Sequence, residues 1–218
     1  MMKLLAAFCF VCCAAAQAPV HGAGGKAVTV HFKTADGCSM EGTYRAPSPG
    51  SYVFINVHGL GSNRAEWLPL EAGLKRRGYG FLSFDLRGHG GSMRCSGGQV
   101  DHKTFSAEQW GGLSADIKAA AAFLKNKKIG ESRLILCGAS IGANLALKAA
   151  AEGLKPAGIV LLSPGLSYAG IEAGTFLPAP GGVPLLLAAS EDDPYAWKSS
   201  GYLTATVVAR GGKAVFKA

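Results

Sequence analysis

Past residue 18 the chain has no apolar run approaching the roughly 18 residues that a membrane-crossing helix needs, so no stable membrane span is expected. It also lacks zinc-ligand spacing, a phosphate-cradling loop and the aromatic pattern of RNA-binding sheets. No metal, organic cofactor or nucleic-acid partner is therefore called for. No internal repeat or low-complexity linker interrupts it, which argues against a solenoid or a string of modules. Cysteine is sparse, with six in 218 residues and three of them before residue 14. Histidine is rarer and unevenly placed: His21, His31, His58, His89 and His102, with none later in the sequence.

What is present begins with an ordered amino terminus. Met1-Met2-Lys3, the apolar stretch Leu4 to Ala16 and the small residues Ala16-Gln17-Ala18 follow the charged, hydrophobic and cleavage-site order of a secretory signal. Cleavage is expected after Ala18, giving a signal peptide over 1–18, a domain over 19–218 and a secreted or periplasmic protein. Acylation at Cys12 or Cys13 is the weaker alternative, because Phe10-Val11 lacks the leucine and small residues of such sites. The 200 residues after Ala18 suit one domain with a sizeable core. They carry 21 basic against 14 acidic residues, and the cations are spread through segments such as Lys75-Arg76-Arg77 and Lys125 to Lys128. Cations there favour helix carboxyl ends and do not build a nucleic-acid face. Cys38 and Cys95 lie in glycine-containing loops and can pair if their backbones approach, whereas Cys137 ends an apolar run and reads as a core residue.

Val28 to Thr34 alternates apolar and polar residues, Ala35-Asp36-Gly37 supplies a turn, and Met40 to Arg45 completes a hairpin. Apolar runs and helical stretches then alternate. Strands are expected at Tyr52–Val57, Phe81–Phe84, Leu134–Cys137, Ile159–Leu162, Val183–Ala188 and Ala214–Ala218. Helices are expected at Arg64–Arg77, Phe105–Lys125, Ile141–Glu152 and Trp197–Ala209. This order implies an α/β fold, a mostly parallel sheet with helices on both faces and ligands bound beyond the carboxyl ends of the strands.

The chemistry-bearing residues gather at those ends. Gly138-Ala139-Ser140-Ile141-Gly142 directly follows the strand Leu134–Cys137 and opens a helix, the strand, sharp turn and helix of a nucleophile elbow. Its glycines are needed because side chains there would collide with the adjoining strand and helix. The plain alternative is that Ser140 caps the helix, a role serine favours. Three further segments weigh against it: His58-Gly59-Leu60-Gly61, Asp85-Leu86-Arg87-Gly88-His89-Gly90-Gly91-Ser92, and Asp192-Asp193, each following an expected strand.

In this order the motifs resemble the α/β-hydrolase family, in particular the branch of serine esterases that includes monoglyceride lipases, over about Val28 to Ala218. The resemblance implies an α/β-hydrolase fold, with Ser140 as nucleophile and the backbone N–H groups of Leu60 and Ile141 as the oxyanion hole. It implies an acid in the loop after Val183–Ala188, where Asp193 is favoured over Asp192 and its neighbour is left to cap the next helix. Asp85 is read as structural. Between Ser163 and Val183 there is no room for a cap domain, and Leu60, Trp67, Tyr168 and Phe176 are candidates for an apolar acyl pocket or for ordinary packing.

One expected part is absent from the residues at hand. The family's base is a histidine after the last strand, in chain order serine, acid, histidine, and the sequence has none past His102. His58 belongs to the oxyanion turn and His89 to the loop after Asp85, so neither is expected to serve as the base, and nor is His102. The favoured expectation is an exported serine hydrolase cleaving carboxylic esters or related acyl bonds of a small-molecule substrate through an acyl-enzyme at Ser140. Its carboxyl-terminal part is expected to be incomplete and its activity impaired without the histidine. The alternatives are a catalytically inactive binding protein of the same fold and, further off, a structural or carbohydrate-binding protein. Nothing in the sequence specifies an oligomeric state.

Overall fold

The computed structural model describes residues 24–218. The expected signal peptide, with Cys9, Cys12 and Cys13, and His21 lie outside the described residues. Strands β1 (Val28–Lys33) and β2 (Ser39–Arg45) form the antiparallel hairpin, and Gly37 takes φ 86° in its turn, a conformation that a side chain resists. Next come β3 (Val53–Val57), helix α1 (Leu68–Arg76) and β4 (Gly80–Phe84). Two short strands, β5 (Arg94–Cys95) and β6 (Gly98–Gln99), follow and add to the sheet edge beside β2, an addition the pattern does not foretell. Cys38 and Cys95 are joined there in a disulfide.

The expected long helix over 105–125 is two helices, α2 (Ala107–Gly112) and α3 (Ser114–Asn126), which part at buried Leu113. Gly111-Gly112 is the physical reason, since glycine holds a helix poorly. The start is sharp because Ser106 and Gln109 form a reciprocal capping box. The chain continues through β7 (Leu134–Ala139), α4 (Ile141–Ala151), β8 (Gly158–Leu162), β9 (Ser167–Tyr168), β10 (Ile171–Glu172), β11 (Leu185–Ala188), α5 (Pro194–Ala209) and β12 (Ala214–Lys217). β9 and β10 form a tight hairpin across Ala169 and Gly170, at φ 48° and 81°.

The main sheet runs β12-β11-β8-β7-β3-β4-β2, and its six strands from β12 to β4 are parallel. After β3 the chain first adds β4 on one side, then returns to add β7, β8, β11 and β12 on the other. The order therefore reverses between β3 and β7. A crevice opens at such a point because the two following loops diverge.

Strand alternation sorts the core. Val53, Ile55, Val57, Leu134 and Leu136 pack in the cluster that includes Ile117, Ala120 and Leu124 of α3 and Leu145 of α4. Phe54, Phe81 and Cys137 point the other way, to Trp67, Leu70 and Leu74 of α1 and the turn before it. On this second face an apolar groove of about 560 Å³ is lined in part by Phe54, Ile135, Val160, Leu186 and Val215.

Candidate active site

Ser140 joins β7 to α4 with φ 53° and ψ −122°, a strained turn for a residue other than glycine. Its amide donates to the Leu162 carbonyl on β8 at 2.8 Å, which fixes the turn against the neighbouring strand. A Cβ on Gly138 would lie 2.2 Å from the Gly142 carbonyl oxygen, and one on Gly142 would lie 2.3 Å from the Val57 carbonyl oxygen. Both glycines are thus required by contact with backbone. The Ser140 side chain makes no capping bond to α4 and the residue is half-buried, so the capping alternative fails.

The turn after β3 lies against this serine: a Cβ on Gly59 would sit 3.5 Å from Ser140 Cβ. Glu66 Oε2 accepts from the Gly59 amide at 3.0 Å, and Gly61 takes φ 72°. These two features set the course of Leu60, whose side chain is 57% exposed. Among the described residues neither the Leu60 nor the Ile141 N–H is taken by a backbone carbonyl outside regular elements. Ile141 is the first residue of α4, where amides carry no intrahelical partner and the helix dipole favours negative charge.

On the other side, Asp193 Oδ1 accepts from the Ala196 amide at 3.0 Å and caps α5. The spacing leaves capping to the neighbour of the acid, but the structure gives it to Asp193 itself. Pro194 is the reason, since proline at a first helical position makes the residue before it the cap. Asp192 is exposed, and its amide donates to Ser190 Oγ at 3.3 Å.

The three histidines near the carboxyl ends are committed elsewhere. His58 is fully buried; Leu86 N–H donates to its Nε2 at 3.0 Å, so Nδ1 carries the proton and donates to the Gly59 carbonyl at 2.8 Å. Burial holds its pKa below the usual histidine value. His89 stacks on His102 at 3.8 Å between ring centroids and meets His58 edge-on at 4.8 Å. Burial, with the His58 charge second, lowers the His89 pKa to about 4. His102 Nδ1 bonds the Gly88 carbonyl at 2.8 Å. No hydrogen bond among the described residues links any of the three to Ser140.

Asp85 is structural, as its position suggests. It is buried, accepts from the Arg64 amide at 2.7 Å and the Gly91 amide at 2.8 Å, and pairs with the Arg64 guanidinium, which also reaches Glu41. A Cβ on Gly90 would fall 2.2 Å from Asp85 Oδ2, so this loop is wrapped on the carboxylate. Of the four candidates for an acyl pocket, Trp67 is packed under the sheet with Phe54 and Leu74. Phe176 lines a separate pocket with Leu154 and Pro178, below the sheet's carboxyl end. Leu60 and Tyr168 stay on the segments that follow β3 and β8, the two strands flanking the serine's own. The Tyr168 hydroxyl donates to the Ser163 carbonyl at 3.4 Å, one residue beyond Leu162, whose carbonyl takes the Ser140 amide. Asn144, one turn into α4, holds the hairpin that carries it, donating to the Gly165 and Ile171 carbonyls at 3.0 and 2.9 Å. Asn144 was not singled out by its sequence context, because a lone asparagine in an apolar helix carries no pattern.

A family model described as the alpha/beta hydrolase family matches residues 53–216. The chain belongs to the α/β-hydrolase family, and its class is that of a hydrolase. Solved structures share the fold at low identity. A bacterial heroin esterase is 15% identical with TM-score 0.63, over 99% of this chain and 78% of that one. An esterase of Pyrococcus furiosus is 20% identical with TM-score 0.58, over 88% and 83%. The α/β hydrolase GrgF from Penicillium is 22% identical with TM-score 0.52, over 64% of this chain, which spans only 46% of its length. No curated protein matches the chain.

Proposed function

We propose that this chain is an exported serine hydrolase that attacks carboxylic esters or related acyl bonds through Ser140. The observation that carries the reading is the elbow itself: a half-buried serine at φ 53° that does not cap its helix, with the Leu60 and Ile141 amides taken, among the described residues, by no backbone carbonyl outside regular elements. Attack of Oγ on a carbonyl carbon breaks the carbonyl π bond and places its electron pair on oxygen. This reading gives that charge to the Leu60 and Ile141 amides, and each such donor is worth ~3 to 4 kcal/mol in the transition state. Collapse expels the leaving group and leaves an acyl group on Ser140 for water to remove. Esterases among the similar folds support the carbonyl substrate class; the signal-like residues 1–18 support export.

Among the described residues no imidazole is hydrogen-bonded to Ser140, so these residues are expected to work only at the ~10³ to 10⁴-fold level over water that an oxyanion hole and binding provide without a full triad. The same observation favours a second reading, a binding protein of hydrolase fold that holds acyl compounds without cleaving them. Hydrolysis of p-nitrophenyl butyrate separates the two. Slow turnover that is lost in Ser140→Ala and kept in His89→Gln and His102→Gln supports the hydrolase. Turnover that Ser140→Ala leaves unchanged refutes it.

A further inference from the structure

The β9–β10 hairpin carries a phenol on the side of the elbow opposite the Leu60 loop. Leu60 follows β3, Ser140 follows β7 and Tyr168 lies beyond β8, in the sheet order β8-β7-β3. With the Leu60 loop beyond β3 and Tyr168 beyond β8, an oxyanion held on the Leu60 side leaves the β8 side for the other oxygen substituent of an adduct.

The phenol is built in. Its ring and that of Tyr195 meet edge-on at 5.7 Å and close over Gly165, where a Cβ would lie 2.6 Å from Tyr168 Cε2 and 2.7 Å from Tyr195 Cε1. The Tyr195 hydroxyl anchors the neighbouring residue, accepting from the Ser167 amide at 2.9 Å and donating to its carbonyl at 3.0 Å. Asn144 ties the same hairpin to the elbow helix. The phenolic proton, by contrast, is loosely held: its bond to the Ser163 carbonyl is 3.4 Å long, near the outer limit for an O–H donor.

We propose that Tyr168 is a catalytic residue of this site, the proton donor to the departing oxygen when the Ser140 adduct collapses. The step balances with water as the proton carrier. The Ser140 O–H bond breaks on attack and its proton goes to solvent water; on collapse the bond from the acyl carbon to the leaving oxygen breaks with its electron pair going to oxygen, that oxygen takes the Tyr168 proton, and the tyrosinate recovers a proton from water. The products are acyl-Ser140, neutral Tyr168 and a neutral alcohol or phenol. Burial raises the Tyr168 pKa, with the Asp193 and Tyr195 charges adding to it and the Ser140 hydrogen bond opposing it. The phenol is therefore protonated, and able to donate, across the neutral range.

The proposal rests on Ser140 as nucleophile and makes a prediction about leaving groups that a packing role does not. The wild-type chain, Tyr168→Phe and Ser140→Ala are treated with ethyl hexylphosphonate esters of p-nitrophenol, p-chlorophenol and phenol, and adduct formation is followed by intact mass. p-Nitrophenolate departs without a proton, so the slowing in Tyr168→Phe should be smallest with that ester; far-UV circular dichroism and the urea midpoint show separately that the variant is folded. With phenol as leaving group Tyr168→Phe should be slower by about tenfold or more, since general acids contribute ~10²-fold and upward. Equal slopes of log rate against leaving-group pKa for the two proteins overturn the role of Tyr168 while leaving Ser140 in place. Labelling that persists in Ser140→Ala, or is absent from wild type with every ester, overturns the nucleophile and this proposal with it.

Discussion

Gly142→Ala and Gly201→Ala are the same chemical change in two helices, and the structure gives them opposite signs. At Gly142 the new methyl would sit 2.3 Å from the Val57 carbonyl oxygen and 2.6 Å from that of His58. Both are backbone atoms of the strand and turn that carry the oxyanion loop, so no side chain can swing aside. Overpacking of this kind costs ~1 to 3 kcal/mol and sometimes more, against ~1 kcal/mol of helix propensity that alanine returns. With a contact this short against backbone the cost falls at the upper end of that range, so a net loss of up to about 2 kcal/mol follows, or up to roughly 4 to 8 °C in Tm for a domain of this size. At Gly201, inside α5, nothing lies within 4 Å of the new methyl, and stabilisation of ~0.4 to 1 kcal/mol is expected. Urea unfolding of the two variants beside wild type reads both effects. A Gly142→Ala protein as stable as wild type would show that α4 does not press on β3, and the elbow argument would fall with it.

Three other perturbations have worked signs. Removing the Cys38–Cys95 disulfide, which spans a sequence separation of 57, should cost ~4 kcal/mol in the chain-entropy treatment; Cys38→Ala/Cys95→Ala with an unchanged urea midpoint would contradict the pairing. On acidification His89, at about 4 in the folded chain against ~6.5 unfolded, binds its proton sooner in the unfolded chain. Stability should fall from about pH 6.5 to 4, by on the order of 3 kcal/mol, and His89→Gln should flatten that slope. Below it Glu152 takes over: burial pushes its pKa up, but Lys118, Lys148 and Ser114 outweigh this and hold it at about 2, so stability is lost further as pH falls from about 4.5 toward 2. A Tm profile of Glu152→Gln that drops as steeply as wild type in that window would remove the group from the account. Asp193→Ala should cost ~1 kcal/mol as a lost helix cap, while Asp193→Ser keeps the cap; equal stability of the two in thermal unfolding would deny the capping role.

The parallel strands and the elbow were legible because they rest on local signals: apolar runs of strand length, and glycines at Gly138 and Gly142 whose need arises from backbone contact. Asp85 was legible for a similar reason, standing at the end of β4 before a glycine-rich loop. The split at Leu113 could have been read from Gly111-Gly112, and the cap at Asp193 from the Asp-Pro pair. What no local pattern carried was long-range placement. Trp67 and Phe176 are apolar at plausible distances in sequence, yet strand alternation sends one beneath the sheet and the loop after β10 carries the other to its far end. The stack of His89 on His102 and the meeting of Tyr168 with Tyr195 depend on segments brought together across the sheet's crest, which spacing along the chain does not encode.

The central claim is that Ser140 is a nucleophile held ready by its own backbone, and covalent labelling tests it most directly. The folded chain is incubated with a fluorophosphonate, digested, and the modified peptide located by mass spectrometry. The account predicts a single adduct on Ser140, abolished by Ser140→Ala and weakened by Gly142→Ala. No adduct on the folded protein, or one that survives Ser140→Ala, would contradict it.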